Sequence, residues 1–135
     1  MSLIHVDPRL LDRVWPTAKG LLQPAIDLAP EEMSIDQLEL LIRRGTFHLL
    51  AWLDDAEEVV GVATVEFIDM PKHRVAHVGY MGGKGIVRAH VFGAAIEWMR
   101  ANGASTAQCW CKEDQRLMYE KMGMTHAFQV MRLPI

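Results

Sequence analysis

The 135-residue chain has little cysteine, no internal repeat, no low-complexity tract and no long apolar run. Each absence excludes something. Two cysteines, Cys109 and Cys111, cannot build a disulfide framework. With no second Cys pair and no His at matching spacing, they do not complete a tetrahedral metal site either, and they fit a strand in a reducing compartment. A membrane helix needs roughly 18 or more consecutive apolar residues, and no such run exists. The opening MSLIHVDPRL reaches Asp7 and Pro8 too early for a secretory signal. The expectation is a soluble, cytoplasmic protein. A net charge of −3 leaves no overall basic footprint for nucleic acid. Half the residues are hydrophobic, enough for one core, so residues 1–135 read as a single domain.

One absence is local. From Met70 to Ile96 there is no Asp or Glu, while Lys72, His73, Arg74, His77, Lys84, Arg88 and His90 all fall in that span. A cationic stretch in an acidic protein points to an anionic ligand. At its centre lies VGYMGGKGIV, Val78 to Val87, where a strand pattern hands over to a helix pattern. Amides at a helix N-terminus are unpaired and the helix dipole adds positive potential. Glycines at such a junction let a phosphate approach the backbone. Gly82, Gly83 and Gly85 would supply that freedom, and Lys84 and Arg88 the charge. The alternative is a plain strand-to-helix turn that needs glycine for its geometry.

Proline and turn residues divide the first third. Asp7-Pro8 is a helix start, and the predicted helix runs from Pro8 to about Trp15, followed by an irregular stretch containing three prolines. Ser34 to Arg44 is a second helix, opened by a Ser34–Gln37 capping box and closed by Gly45. The pattern then changes to strands at Phe47–Leu53, Val59–Ile68 and His73–Met81. Strict alternation puts Val75, His77, Gly79 and Met81 on one face of the third. Ile86 to Asn102 is helical, stopped by Asn102-Gly103. A strand at Ser105–Cys111, a helix at Glu113–Met122 and a last strand at Thr125–Leu133 complete the order, with an optional first strand at Leu3–Val6. The expected class is α+β: a central mixed, mostly antiparallel sheet with helices on both faces.

MGGKGIV and RLMYEKMGM (Arg116–Met124), in this order after three strands, make the chain resemble the GCN5-related N-acetyltransferases (GNAT). The first stretch resembles their acetyl-CoA loop, Arg/Gln-x-x-Gly-x-Gly/Ala, and the second their late-helix signature. Gly85 and Lys84 match the loop; Gly82 stands in place of Arg or Gln, and Val87 in place of Gly or Ala. The resemblance implies an acyl-CoA cofactor, acetyl-CoA or another, held by Tyr80, Met81, Gly82, Gly83, Lys84, Gly85, Ile86 and Val87. It also implies direct attack of an amine on the thioester. Tyr119 falls on the position of the acid that protonates the leaving thiolate, and a phenol with an ordinary pKa near 10 suits the role. His77, Glu66 and, less directly, His73 are the candidate bases. Amides of Gly79, Tyr80 and Met81 would stabilise the oxyanion if their strand bulges. Trp15 would line the acceptor side.

The chain is also similar to the short GNAT-like proteins of tailed phages and prophages, through GTFHLLAWLDD, GVATVEF, MPKHRVAHVGYMGG and AIEWMRANGAS. That likeness implies a second reading: a non-catalytic module with a structural or interaction role, virion-associated where phage-encoded, and with an altered CoA loop. The acceptor, a small-molecule or peptide amine, is not legible. Nine methionines and four tryptophans leave room for a homodimer face.

Overall fold

In the computed structural model, which describes residues 1–135, the chain enters as an edge strand, β1 (Ser2–His5). A 3₁₀ turn at Pro8–Leu10 follows, where the Asp7 carboxylate accepts from the Arg9 amide. The expected break after Trp15 does not occur: helix α1 runs unbroken from Leu11 to Leu28 through Pro16 and Pro24. Leu11, Trp15, Ala18, Leu22 and Ile26 form one buried stripe at helical spacing. An interior proline costs about 3 kcal/mol, whereas each large apolar residue on that stripe gains about 1.5–3 kcal/mol on burial. Both prolines lie on the exposed face, so the carbonyls they leave without a partner are on the solvent side. Trp15 belongs to this core rather than to an acceptor wall. Helix α2 (Ile35–Arg43) has the expected capping box, and Gly45 follows it at φ +77°.

The sheet continues with β2 (His48–Leu53), β3 (Val59–Asp69), β4 (Arg74–Gly83) and β5 (Thr106–Cys109), in spatial order β1-β2-β3-β4-β5. All neighbours are antiparallel except β4 and β5, which are parallel and joined by helix α3 (Ala89–Ala101). Alternation sends Leu49, Ala51 and Val62 into a core with α1 and α2. It sends Leu50, Trp52, Ala63, Val65, Ala76 and Val78 into a second core with Phe92, Ala95 and Met99 of α3. The Trp52 indole donates to the Val91 carbonyl at 3.3 Å and ties α3 to the sheet. Helix α4 (Arg116–Lys121) follows a 3₁₀ turn at Glu113–Gln115 and ends before Gly123, at φ +93°.

Three boundaries differ from the sequence pattern. Helix α3 begins at Ala89, not Ile86: Gly85 turns the chain at φ +80°, Arg88 is an extended N-cap, and between them the Ile86 side chain is buried against Gly61. Strand β5 ends at Cys109, so Trp110 and Cys111 lie beyond it. Residues 124–135 form no strand, since a strand needs a partner edge and 125–135 make no backbone hydrogen bond. No helix is long and apolar enough to cross a membrane.

Candidate active site

Strand β4 is regular up to Val78, which lies opposite Val65 of β3. Met81 is the next residue in register, opposite Ala63, so Gly79 and Tyr80 together face Thr64. The bulge that sequence could only make conditional is present. Thr64, a buried hydroxyl, holds it open by accepting from the Tyr80 amide at 3.0 Å. An extra residue inverts the alternation beyond it. Tyr80 therefore packs toward α1, and Met81 joins Ala76 and Val78 on the α3 side, the reverse of the simple period-two pattern.

Pairing of β4 with β5 stops at Val78 opposite Cys109. Past this point the two strands part. In the gap, on the α3 side, is an apolar cavity of about 140 Å³ reached by Val78, Met81, Phe92, Cys109, Tyr119 and Met122. A wider groove of about 450 Å³ lies between the start of α3 and α4, bordered by Val87, Arg88, Leu117 and Lys121. Ala89 and Met122 line both, so the groove adjoins the cavity. The mouth of the groove carries Arg88 and Lys121 against a single carboxylate, Asp114. Arg88, Lys121 and Lys84 take part in none of the ion pairs of the chain. The first turn of α3 holds no acidic residue, and its N-cap, Arg88, makes no side-chain cap. Its leading amides are left to solvent or to a ligand.

The loop itself is two things. Gly82 and Gly83 still belong to β4, and both are required by packing. A Cβ on Gly82 would overlap the Leu21 carbonyl of α1, and one on Gly83 would overlap the Val60 carbonyl and Gly61. That close approach of α1 is the physical reason why no Arg or Gln stands at position 82. Gly85, at φ +80°, has nothing nearer to such a Cβ than Arg88 Nε at 4.0 Å. Lys84 is exposed, Ile86 can offer only its backbone, and Val87 borders the groove. The cationic stretch also divides. Arg74 is bound to Asp69 at 3.2 Å and covers the Phe67 ring, and His73 bonds Thr106 Oγ1 at 3.0 Å. Both are at the opposite end of β4 from the loop, so His73 lies away from the gap.

Tyr119 projects from α4 into the cavity beside Cys109. Burial, then the neighbouring thiols of Cys109 and Cys111, push its phenol up, so it keeps its proton at neutral pH. Burial likewise pushes the Cys109 thiol up to about 11. On the opposite face of the sheet, Glu66 and His77 sit across the β3–β4 ladder from each other. Gln108 donates to His77 Nδ1 at 3.0 Å, which puts the ring proton on Nε2, and Trp110 meets the ring edge-on at 5.0 Å. Burial lowers the His77 pKa and raises that of Glu66. The structure thus gathers Met81, Val87 and Tyr119 around the cavity and groove. It sets Glu66, His77 and Tyr80 on the other side of the β4–β5 gap.

Solved acetyltransferases match the whole chain. A probable acetyltransferase superimposes at TM-score 0.73 with 17% identity, over 100% of this chain and 98% of that one. Ribosomal-protein-alanine N-acetyltransferase from Brucella melitensis biovar Abortus 2308 does so at 0.72 with 13% identity, over 100% of both chains. An aminoglycoside acetyltransferase from an uncultured soil metagenomic sample, in complex with sisomicin, gives 0.71 with 12% identity, over 99% of this chain and 94% of that one. The chain has the GNAT acetyltransferase fold. No family model matches the sequence, and no curated protein matches it.

Within this GNAT fold, sequence reasoning missed four residues. Thr64 was one polar side chain in an apolar strand, and only its register against Gly79 gives it a task. Gln108 and Cys109 acquire roles from parallel pairing across 31 and from α4 across 10 positions. Lys121 joins Arg88 only because α4 turns back over the start of α3.

Proposed function

We propose that the chain is an N-acyltransferase that uses acetyl-CoA or another acyl-CoA and acts on an amine. The observation that carries this reading is a groove set between unpaired cations at an uncapped helix start, adjoining an apolar cavity that reaches Tyr119; together they would make one passage. An elongated ligand with an anionic head and a neutral, narrow tail fits such a passage. Arg88, Lys121, the amides that open α3 and the backbone at Gly85 would hold the head. Val78, Met81, Phe92 and Met122 would enclose the tail. Gly82 and Gly83 contribute shape rather than contacts. When bound, acetyl-CoA supplies an acetyl group activated as a thioester.

The chain's own groups divide the remaining tasks. Tyr119, protonated at neutral pH, is the proton donor at the inner end of the passage. Of the three bulge amides, that of Tyr80 is taken by Thr64 and is thereby withdrawn from a developing oxyanion, which leaves the role to its neighbours at the bulge. Glu66 is the base we assign. Its raised pKa brings it closer to neutrality, whereas the acceptor nitrogen of His77 is already bonded to Gln108. His77 then acts on Glu66 as a neutral neighbour across the ladder.

Tyr119→Phe separates chemistry from binding. Loss of general acid help lowers transfer by about 10²–10⁴ while the melting shift produced by CoA stays. Unchanged turnover in this variant would return Tyr119 to packing. The second reading, a non-catalytic module such as a phage protein, is favoured by one observation: position 82 is closed to any side chain. It requires a flat CoA titration of folded wild-type protein.

A further inference from the structure

Glu66 and His77 stand directly opposite each other in the β3–β4 ladder, on the face of the sheet away from the apolar cavity. Each presents a polar head that the chain itself does not use. Glu66 is half-buried and takes part in none of the ion pairs; burial alone perturbs its carboxyl. His77 is only 6% exposed. Its Nδ1 accepts from Gln108, the residue beside it in β5, so Nε2 bears the proton. That N–H has no partner in the chain, yet Nε2 is not sealed from solvent. Buried polar groups are as a rule paired, so a nine-tenths buried ring with one open donor calls for a partner from outside. Trp110, 61% exposed, meets the ring edge-on and forms the outer flank.

The two heads are opposite in kind. A carboxylate accepts hydrogen bonds, and the Nε2–H gives one. They do not bond each other. Residues directly opposite in an antiparallel ladder hold their Cβ atoms about 4.5–5.5 Å apart. A ligand that engages both must therefore carry its donor and its acceptor close together: an N–H for Glu66 and an oxygen for His77. Gln108 fixes this polarity. With the proton on Nδ1 instead, Nε2 would be an acceptor like Glu66, and the pair would favour two donors.

Resting on the acyltransferase reading, with Glu66 as base, we infer that the acceptor carries the atom sequence N–C–C–O, its amine directed at Glu66 and its oxygen accepting from His77 Nε2. The α-amino end of an amino acid or peptide has that sequence, with a carbonyl oxygen. An amino alcohol or amino sugar has it with a hydroxyl. The side-chain amine of a lysine does not. In the transfer the bond from nitrogen to the acyl carbon forms and the thioester C–S bond breaks. The amine proton passes to Glu66, and Tyr119 returns one to the departing sulfur. An α-amine also suits a carboxylate base: its ordinary pKa near 7.7–8.0 leaves about a tenth of it neutral at pH 7, against roughly a thousandth or less of a lysine amine near 10.4.

The test is release of free thiol from acetyl-CoA by the full chain, with rates compared at equal concentrations of neutral amine. The probes are alaninamide and ethanolamine, which have the N–C–C–O sequence, and butylamine and Nα-acetyl-lysinamide, whose amines lack the oxygen. The first pair is expected to exceed the second by about ten-fold in kcat/KM, near the upper worth of one hydrogen bond. His77→Leu removes the donor and is expected to bring that ratio close to one, while His77→Gln keeps an N–H and most of the preference. A preference shown by alaninamide alone points to an amino-acid or peptide end; one shared by ethanolamine admits amino alcohols and sugars. Equal rates with all the probes overturn the inference and leave the acyltransferase reading in place, as does a preference that survives in His77→Leu. No transfer to any of them, by protein whose melting temperature CoA raises, overturns this class of acceptor; no rise with CoA overturns the reading beneath it. Were His77→Leu to unfold, the wild-type ratio and His77→Gln would still decide.

Discussion

Strand β4 is two strands joined at a bulge. Its first half, Val75 to Val78, is bonded on both sides, to β3 and to β5, and is fully buried. Its second half, Gly79 to Gly83, is bonded to β3 alone and passes close beneath α1. The first half is built for stability and the second for access. The difference is set by Thr64, which keeps one extra residue in the ladder, and by β5, which ends where the bulge begins. A free strand edge inside a domain is normally avoided. Here it is the floor of the proposed passage, and the cost of leaving it open is offset by the two cores on either side.

The glycines make the comparison testable. Gly82 is under α1, so Gly82→Ala drives a methyl group into the Leu21 backbone, which cannot rotate away. Overpacking of this kind costs about 1–3 kcal/mol, and the backbone clash puts this site at the upper end. For a domain of this size the melting temperature is expected to fall by roughly 10 °C. Thermal denaturation checks it, and a fall of a degree or two would mean that α1 yields easily and that the close approach is not what excludes a side chain.

Gly85 is the opposite case. Nothing surrounds it, so Gly85→Val costs only the strain of a branched residue at φ +80°, about 1–2 kcal/mol, and the protein remains folded. What is expected to vanish is ligand stabilisation. At a hundred times Kd, CoA adds about 2.7 kcal/mol to wild type, a rise of roughly 5–10 °C. The variant is expected to melt at one temperature with and without CoA. A full shift in Gly85→Val would move the head-group contacts away from this loop.

These two glycines also mark how far the sequence can be read. The order of elements, the capping box at Ser34, the stop at Gly103 and the antiparallel trio were legible because each rests on local periodicity or on a single cap. Helix α1 was not, because two prolines carried more local weight than a stripe of five core residues whose value appears only on packing. The late-helix signature singled out Tyr119, and that side chain lines the cavity. Three glycines in four positions looked alike, yet Gly82 and Gly83 answer to α1 and β3, elements 60 and 20 residues away. Only Gly85 answers to its own φ and to open space. The same limit applies to the last strand: Thr125–Leu133 has strand composition, yet the segment makes no backbone hydrogen bond.

Histidines sharpen the comparison at the buried half. Burial lowers the pKa of His77, and burial, then His5 and Arg74, lower that of His48. Both therefore bind protons more readily in the unfolded chain, from an ordinary value of 6.5 downward. Stability is fully present above pH 6.5 and is lost as the pH falls through that value toward the folded-state values. Melting curves between pH 7.5 and 5 are expected to show a shallow acid slope, reduced in His77→Gln and reduced further when His48→Gln is added. An unchanged slope in the double variant would mean that both rings are as well solvated folded as unfolded.

The smallest effects belong to the two cations of the open half, and they differ from each other. Arg88 borders the outer groove at the start of α3, whereas Lys84 is exposed on the loop and borders neither cavity. Exposed charges contribute about 0.2–1 kcal/mol each, and salt screens them beyond about 8 Å at physiological ionic strength. Arg88→Ala is therefore expected to weaken CoA binding by roughly five-fold, near the upper limit, and to flatten its salt dependence. Lys84→Ala is expected to weaken it by no more than about two-fold, because Lys84 acts through solvent. Calorimetric titration at low and high salt measures both. If Lys84→Ala proved the more damaging, the head group would sit over the loop rather than in the groove between α3 and α4, and Gly85 and Lys84 would form its seat together.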